Sequence, residues 1–394
     1  MQIYAEDTLN IFALPYPSYD SNKGFGFSIK TRDYNFLGRM QEQFIDIGYD
    51  LDTEKRNFFW FDLDTGLPFH LFGFKWFLNF DNYYLFRMNM EEKHFYKNLT
   101  GLSIDIPVKR TTLTIGFNER LLLNEENTDL EKAIYQLNDD FQEGFYMSSN
   151  PFIKWKIPTG IFVDNFSEIL ITTEISAVFN HPLSTKLTDN RVGPFLKFTN
   201  NINFGRINWI GNFKKGFSAD INNTSTIDFH DKKHPLTFDI KFSGITHFIF
   251  NEYVGHSIRL MYRHWFYTYH NEAGDALRGI ADKLDADFMF SLNLDFPIKV
   301  LKIRPSKWFK NEKWRFFNFD IHLNPVIDIA VYNYLQKQSS FNIDNFLFSG
   351  GFEIIIFPEF IRNLFLRVSM CCNFLKIKDI KNNYEIFFGV ELHY

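Results

Sequence analysis

Residues 384–394 read YEIFFGVELHY, and this stretch decides the fold. In an extended chain successive side chains point to opposite faces. Tyr384, Ile386, Phe388, Val390, Leu392 and Tyr394 therefore form one unbroken apolar and aromatic column, while Glu385, Gly389, Glu391 and His393 line the other face.

The same two-residue period runs back through the chain. In Gln43–Leu51, Ile45, Ile47 and Tyr49 oppose Phe44, Asp46, Gly48 and Asp50. In Asn57–Thr65, Phe59, Phe61 and Leu63 oppose Trp60, Asp62 and Asp64, and a Gly66-Leu67-Pro68 breaker predicts a turn. Gly73–Asp81 puts Phe74, Trp76, Leu78 and Phe80 against Lys75, Asn79 and Asp81. Residues 111–118, 168–178, 237–250, 257–267, 287–296 and 316–330 follow suit, so no separate domain is expected. The exception is residues 121–143, where Thr128 and Glu131 form a capping-box pair ahead of Leu130, Ala133, Ile134 and Leu137 at helical spacing. A short acidic helix in a loop insertion, residues 122–145, is predicted there.

Composition narrows the choice. The 394 residues could fill two or three ordinary domains, but closed barrels are an exception to that prior. The chain carries 50 Phe, 18 Tyr and 7 Trp, yet its mean hydropathy is only −0.22. Charges interrupt every apolar run, so no segment of about 18 apolar residues could span a bilayer as a helix. Alternation with aromatic surface and no long apolar run fits a transmembrane barrel, whose lipid-facing and lumen-facing residues alternate, or a soluble all-β protein.

Other function classes find little support. A net charge of −5 gives no reason to propose nucleic acid as a partner. The cysteines, Cys371 and Cys372, are neighbours whose side chains point apart on a strand, so no disulfide framework is expected. His230 and His234 lie between Asp228, Asp231 and Pro235 in a polar loop, which reads as solvated loop rather than a metal site. No nucleophile motif marks an enzyme, and no cofactor is expected. Residues 299–315 collect seven basic residues with Trp308 and Trp314, a pattern that fits a nucleic-acid or anionic-lipid patch and more often marks an interfacial turn with an aromatic girdle. The opening MQIYAEDTLN lacks a basic and an apolar signal region. Ala5 suits the residue before a cleavage site, so the residues ahead of Glu6 fit the tail of a signal peptide.

The terminal strand resembles the C-terminal signal of outer-membrane barrels, a Gly followed by apolar residues three and five positions later at the chain end. Gly389, Leu392 and Tyr394 fit it, and Phe387 departs from the polar residue usual before the Gly. A second resemblance is more specific. Residues 271–298, NEAGDALRGIADKLDADFMFSLNLDFPI, resemble the sixth extracellular loop and following strand of the BamA superfamily, which includes two-partner-secretion translocators and bacterial surface antigens. Arg278-Gly279 and Phe296-Pro297-Ile298 match its motifs, while Ile280 replaces the aromatic after Arg-Gly and Asn293 stands at the place of an acidic partner. Residues 12–38, FALPYPSYDSNKGFGFSIKTRDYNFLG, resemble the family's first two strands.

The resemblance implies that the loop of residues 271–285 tucks into the lumen and that Asp328, in NPVIDIAVYN, pairs with Arg278 inside it. A guanidinium held there requires carboxylates, because an unpaired desolvated charge is costly. The expectation is thus an all-β, transmembrane antiparallel β-barrel filling residues 1–394 after a lead of residues 1–9, integral to a bacterial outer membrane. About seventeen spans can be counted, and bacterial barrels use even numbers, so sixteen strands are expected, with eighteen the alternative. The implied function is insertion or translocation of proteins, with outer-membrane lipid and client or secreted polypeptides as partners. With strand one starting almost at once, no room is expected for the family's periplasmic polypeptide-binding domains, so the alternative is a structural or binding barrel or a passive diffusion channel.

Overall fold

A computed structural model of the chain describes residues 11–33, 43–53, 55–88, 94–124, 144–163, 167–181, 193–232, 235–268, 270, 273–280, 284–334, 345–359, 364–376 and 383–392. Strand segments follow one another as β1 (Ile11–Asp20), β2 (Gly24–Asp33), β3 (Gln43–Leu51), β4 (Asn57–Leu71), β5 (Phe74–Arg87), β6 (His94–Val108) and β7 (Thr111–Asn124). Then come β8 (Gly144–Phe162), β9 (Glu168–Asn180), β10 (Phe195–Ile210), β11 (Phe213–Asp228), β12 (Leu236–Ile249) and β13 (Gly255–Phe266). The last are β14 (Phe288–Asp295), β15 (Ile298–Ile303), β16 (Phe319–Asn333), β17 (Phe346–Pro358), β18 (Leu364–Asn373) and β19 (Tyr384–Leu392).

These segments form one sheet in which β9 pairs β10 and β1 pairs both β2 and β19, a closed antiparallel β-barrel. Among the described residues no helix is long and apolar enough to cross a membrane. The expected count of sixteen strands is corrected to eighteen. β14 and β15 both pair β16, and the register runs from Asp295↔Val326 to Ile298↔Leu323 without a shift, so the two are one barrel strand interrupted at Phe296-Pro297. The miscount has a physical source in the hairpin β10–β11, where Asn200, Asn201, Asn203, Asn222 and Asn223 blur the apolar alternation.

Two further expectations are corrected. Gly66-Leu67-Pro68 is no turn, because β4 continues to Leu71 and turns at Phe72-Gly73. Pro68 is paired with Phe77 of β5 within this strand. The insertion at residues 122–145 is also narrower than expected, since β7 runs to Asn124 and β8 starts at Gly144. The helix predicted between them lies outside the described residues.

By contacts the chain divides into two units, residues 1–17, 25–153 and 176–194, and residues 18–24, 154–175 and 195–394. In the first, one face of the sheet buries Phe58, Leu85, Phe95, Leu122 and Tyr146 and carries the ion pairs Arg32–Asp46 and Lys97–Asp81, the latter at 3.6 Å. The other face exposes Ile47, Phe59, Ile115 and Phe117.

The second unit separates a membrane barrel from a soluble one. Along β16 from Asp320 to Ala330 the buried residues are Asp320, His322, Asn324, Val326, Asp328 and Ala330, alternating with half-buried Ile321, Leu323, Ile327 and Ile329. On β17 and β18, Ser349, Glu353 and Ser369 are buried while Phe352, Ile354, Val368 and Met370 are exposed. A soluble sheet hides its apolar face. This one hides polar groups and presents the apolar face, as a lipid solvent requires.

Candidate functional site

Residues 273–280 cross the polar face of the second unit. Ala273–Ala276 form a turn of 3-10 helix. Ala273, Leu277 and Ile280 then bury against Met261, Ala286, Met289, Ala330 and Leu347. This apolar seat fixes the segment by excluding water, and Ile280, where the family has an aromatic, belongs to it.

The seat aims Arg278 at three carboxylates. Its Nε and Nη2 donate to Asp328 Oδ2 and Oδ1 at 3.0 and 2.6 Å, and Nη1 donates to Asp295 Oδ1 at 2.6 Å and Glu353 Oε1 at 3.4 Å. Its backbone N–H also donates to Asp328 Oδ2, at 2.8 Å. Burial opposes the guanidinium charge, but the Asp328 hydrogen bond and the charges of Asp295, Asp328 and Glu353 outweigh it and hold the pKa above the ordinary arginine value. Glu353 also meets Arg367 Nη1 at 3.5 Å and accepts from Asn324 Nδ2 at 2.7 Å, so the charges form a network.

Gly279 explains the second letter of the motif. Its φ is +72°, and a Cβ would sit 2.6 Å from Cys372 N and 2.8 Å from Cys371 C, so a side chain is refused by conformation and by space. Its N–H donates to Glu385 Oε2 at 2.7 Å. Asn293, at the family's acidic position, donates its Nδ2 to Ala276 O at 3.2 Å, a bond no carboxylate could make.

The structure thus brings Arg278, Gly279 and Asp328 together, and adds Asp295, Glu353 and Glu385, which sequence reasoning missed. Asp295 had a signal, since it precedes Phe296-Pro297 and shares a face with Asn293. A cavity of about 530 Å³ adjoins the network, lined by Arg278, Asp295, Glu353, Arg367 and Glu385 together with His247 and His322.

Gly389 pairs both Arg367 and Ser18. The side chain of Leu392 and all of Tyr394 lie outside the described residues. Among the described residues the ladder between β1 and β19 has three register pairs, Ser18↔Gly389 to Asp20↔Phe387, against nine between β18 and β19. Ser21 N donates to Ile386 O at 3.0 Å, so the odd-numbered residues of β1 turn their amides to β19. The next two of that parity after Tyr19 are Pro17 and Pro15, which have no amide hydrogen to give.

Elsewhere, Ser149 Oγ lies 2.7 Å from Glu119 Oε2 and 3.1 Å from His181 Nε2, and Glu119 Oε1 meets the same Nε2 at 3.2 Å. Because acid and hydroxyl share one ring nitrogen, this is a polar tie between strands rather than a linear acid–histidine–nucleophile relay. His230 N donates to Asp228 Oδ1 at 2.8 Å, while His234 lies outside the described residues. Among the described residues no three metal-ligating side chains gather.

No protein-family model matches the chain, and no curated protein does. Solved structures do. CdiB from Escherichia coli aligns with a TM-score of 0.53 at 8% identity, over 98% of this chain and 64% of its own. BamA from Haemophilus ducreyi lacking POTRA domains 1-3 gives 0.50 at 14% identity, over 98% and 71%. CdiB from Acinetobacter baumannii gives 0.49 at 10%, over 98% and 60%, so the chain spans under two thirds of both CdiB structures. By this alignment the chain has the barrel fold of BamA and CdiB, and its exposed apolar face is that of a membrane-integral β-barrel.

Proposed function

We propose that this barrel inserts or translocates polypeptides at the outer membrane, working at the seam between β1 and β19. The observation that carries the reading is the seam itself, which has three register pairs among the described residues against nine between β18 and β19, and beside which β1 carries Pro15 and Pro17. An edge so weakly closed offers unpaired backbone groups to a client strand, the physics of strand addition. In this reading residues 271–285 are an extracellular loop folded into the lumen, Arg278-Gly279 is its anchor, Asp328 the partner of Arg278, and Gly389, Leu392 and Tyr394 the recognition signal of the barrel. Client or secreted polypeptides and outer-membrane lipid are the partners.

The test is a disulfide across the seam, Asp20→Cys with Phe387→Cys, in a chain with Cys371 and Cys372 replaced by Ser. Locking the seam in cells is expected to stop assembly of other barrels or export of a partner, reversibly with reductant. Unchanged assembly and export reject the reading, and steady current through planar bilayers with the seam locked would favour a diffusion channel instead.

A further inference from the structure

The connection between β15 and β16, residues 304–318, is the other part of the second unit with a structure of its own. Its root is built of buried and half-buried polar groups. Arg304 donates to Asp320 Oδ1 at 2.6 Å and meets Glu359 at 3.2 Å, and Asn318 accepts from Ser306 and donates to Glu359 Oε2 at 2.8 Å. Asn311 caps the following turn by accepting from Lys313 N at 3.0 Å. The connection is therefore held in one shape.

What it holds out is aromatic. Every residue from 307 to 317 is exposed, and Trp308, Phe309, Trp314, Phe316 and Phe317 are between 41% and 64% exposed. The rings pack against one another at tilted angles, Phe309 with Trp314 at 4.9 Å and Trp314 with Phe317 at 5.6 Å between centroids. Between them stand Lys307, Lys310, Lys313 and Arg315, with Glu312 the one acid in the run. A contiguous exposed apolar patch of this size marks a contact with something else.

Position selects the occupant. Within this unit one end of the sheet carries the short connections 211–212, 250–254 and 359–363, and the opposite end the connections 229–235, 267–287, 334–345 and 374–383, all longer than these. Short turns face the periplasm, and the 304–318 connection is on their side. Its aromatics also continue the lipid-facing stripe, since Val300 and Leu301 of β15 are about half exposed. Rings at the level where the acyl region ends, with cations spaced among them, match a membrane interface bearing anionic headgroups.

From this we infer that residues 304–318 form a binding site for anionic phospholipid in the periplasmic leaflet, the rings seated at the acyl–headgroup boundary and Lys307, Lys310, Lys313 and Arg315 on the phosphates. The site does not depend on the translocation reading. It would hold the membrane at a fixed height on this part of the barrel.

The test uses the full chain folded in phosphatidylcholine bilayers containing a small fixed fraction of brominated phosphatidylglycerol or brominated phosphatidylcholine. The tryptophan signal is assigned by subtracting a W308F/W314F variant. Brominated phosphatidylglycerol is expected to quench the Trp308 and Trp314 signal about threefold more effectively, and a K307Q/K310Q/K313Q/R315Q variant to quench equally with both lipids. Equal quenching in the unmodified chain overturns the anionic preference. Quenching by aqueous iodide and by neither lipid overturns the site and leaves these rings to a soluble partner. Retained resistance to unfolding in cold detergent gels shows that each variant is folded.

Discussion

Arg278 grips Asp328 with two parallel hydrogen bonds, at 3.0 and 2.6 Å, and a third from its own backbone at 2.8 Å. The Asp328 side chain is fully buried and Glu353 nearly so. Removing the guanidinium strands buried carboxylates, so Arg278→Ala is expected to cost about 3–5 kcal/mol. Arg278→Lys keeps the charge but cannot make the fork and should recover only part of it. Denaturant unfolding of both variants in detergent, completed by R278A/D328A, measures this. A double variant no better than the sum of the single ones would mean the two residues act independently.

Gly279→Ala tests the fit of the loop without touching charge. The left-handed backbone alone costs a Cβ about 1–2 kcal/mol, and contact with the Cys371-Cys372 backbone adds to it. The segment 273–280 is expected to leave its seat roughly tenfold more often. Limited proteolysis would read this as faster cleavage there with unchanged strands. Cleavage at the original rate would show that the backbone yields.

The sequence made the alternation legible because lipid demands an apolar side chain at every second position, whatever its partner. It made Arg278, Gly279 and Asp328 legible through resemblance. Glu353 and Glu385 were hidden, because they lie 75 residues from Arg278 and 106 from Gly279 and are brought close only by strand register. Register also decided Pro68, which reads as a breaker locally and sits opposite Phe77 inside β4. The strand number failed where asparagines on β10 and β11 weaken the period.

Asn293→Asp should loosen the loop although it restores the family's acid. The new carboxylate cannot donate to Ala276 O and adds charge beside Asp295, so a loss of about 1–3 kcal/mol is expected. The exchange variant N293D/D295N keeps the number of carboxylates and still lacks the donor. If it unfolds at the same denaturant concentration as the unmodified protein, the bond to Ala276 contributes nothing.

Pro15 and Pro17 give the seam its own test. Each has the strand parity of Ser21, whose amide donates to Ile386 of β19, and Thr at these positions restores an amide donor together with a β-branched side chain suited to a strand. P15T/P17T is expected to lengthen the β1–β19 ladder and add about 0.5–1.5 kcal/mol for each new bond. Hydrogen exchange at the β19 amides beyond Gly389 should slow accordingly. If the seam is where clients enter, the same variant should be more stable and less active, falling toward the disulfide-locked chain in assembly or export. A tighter seam with undiminished activity would separate the two and move the working site away from β1 and β19.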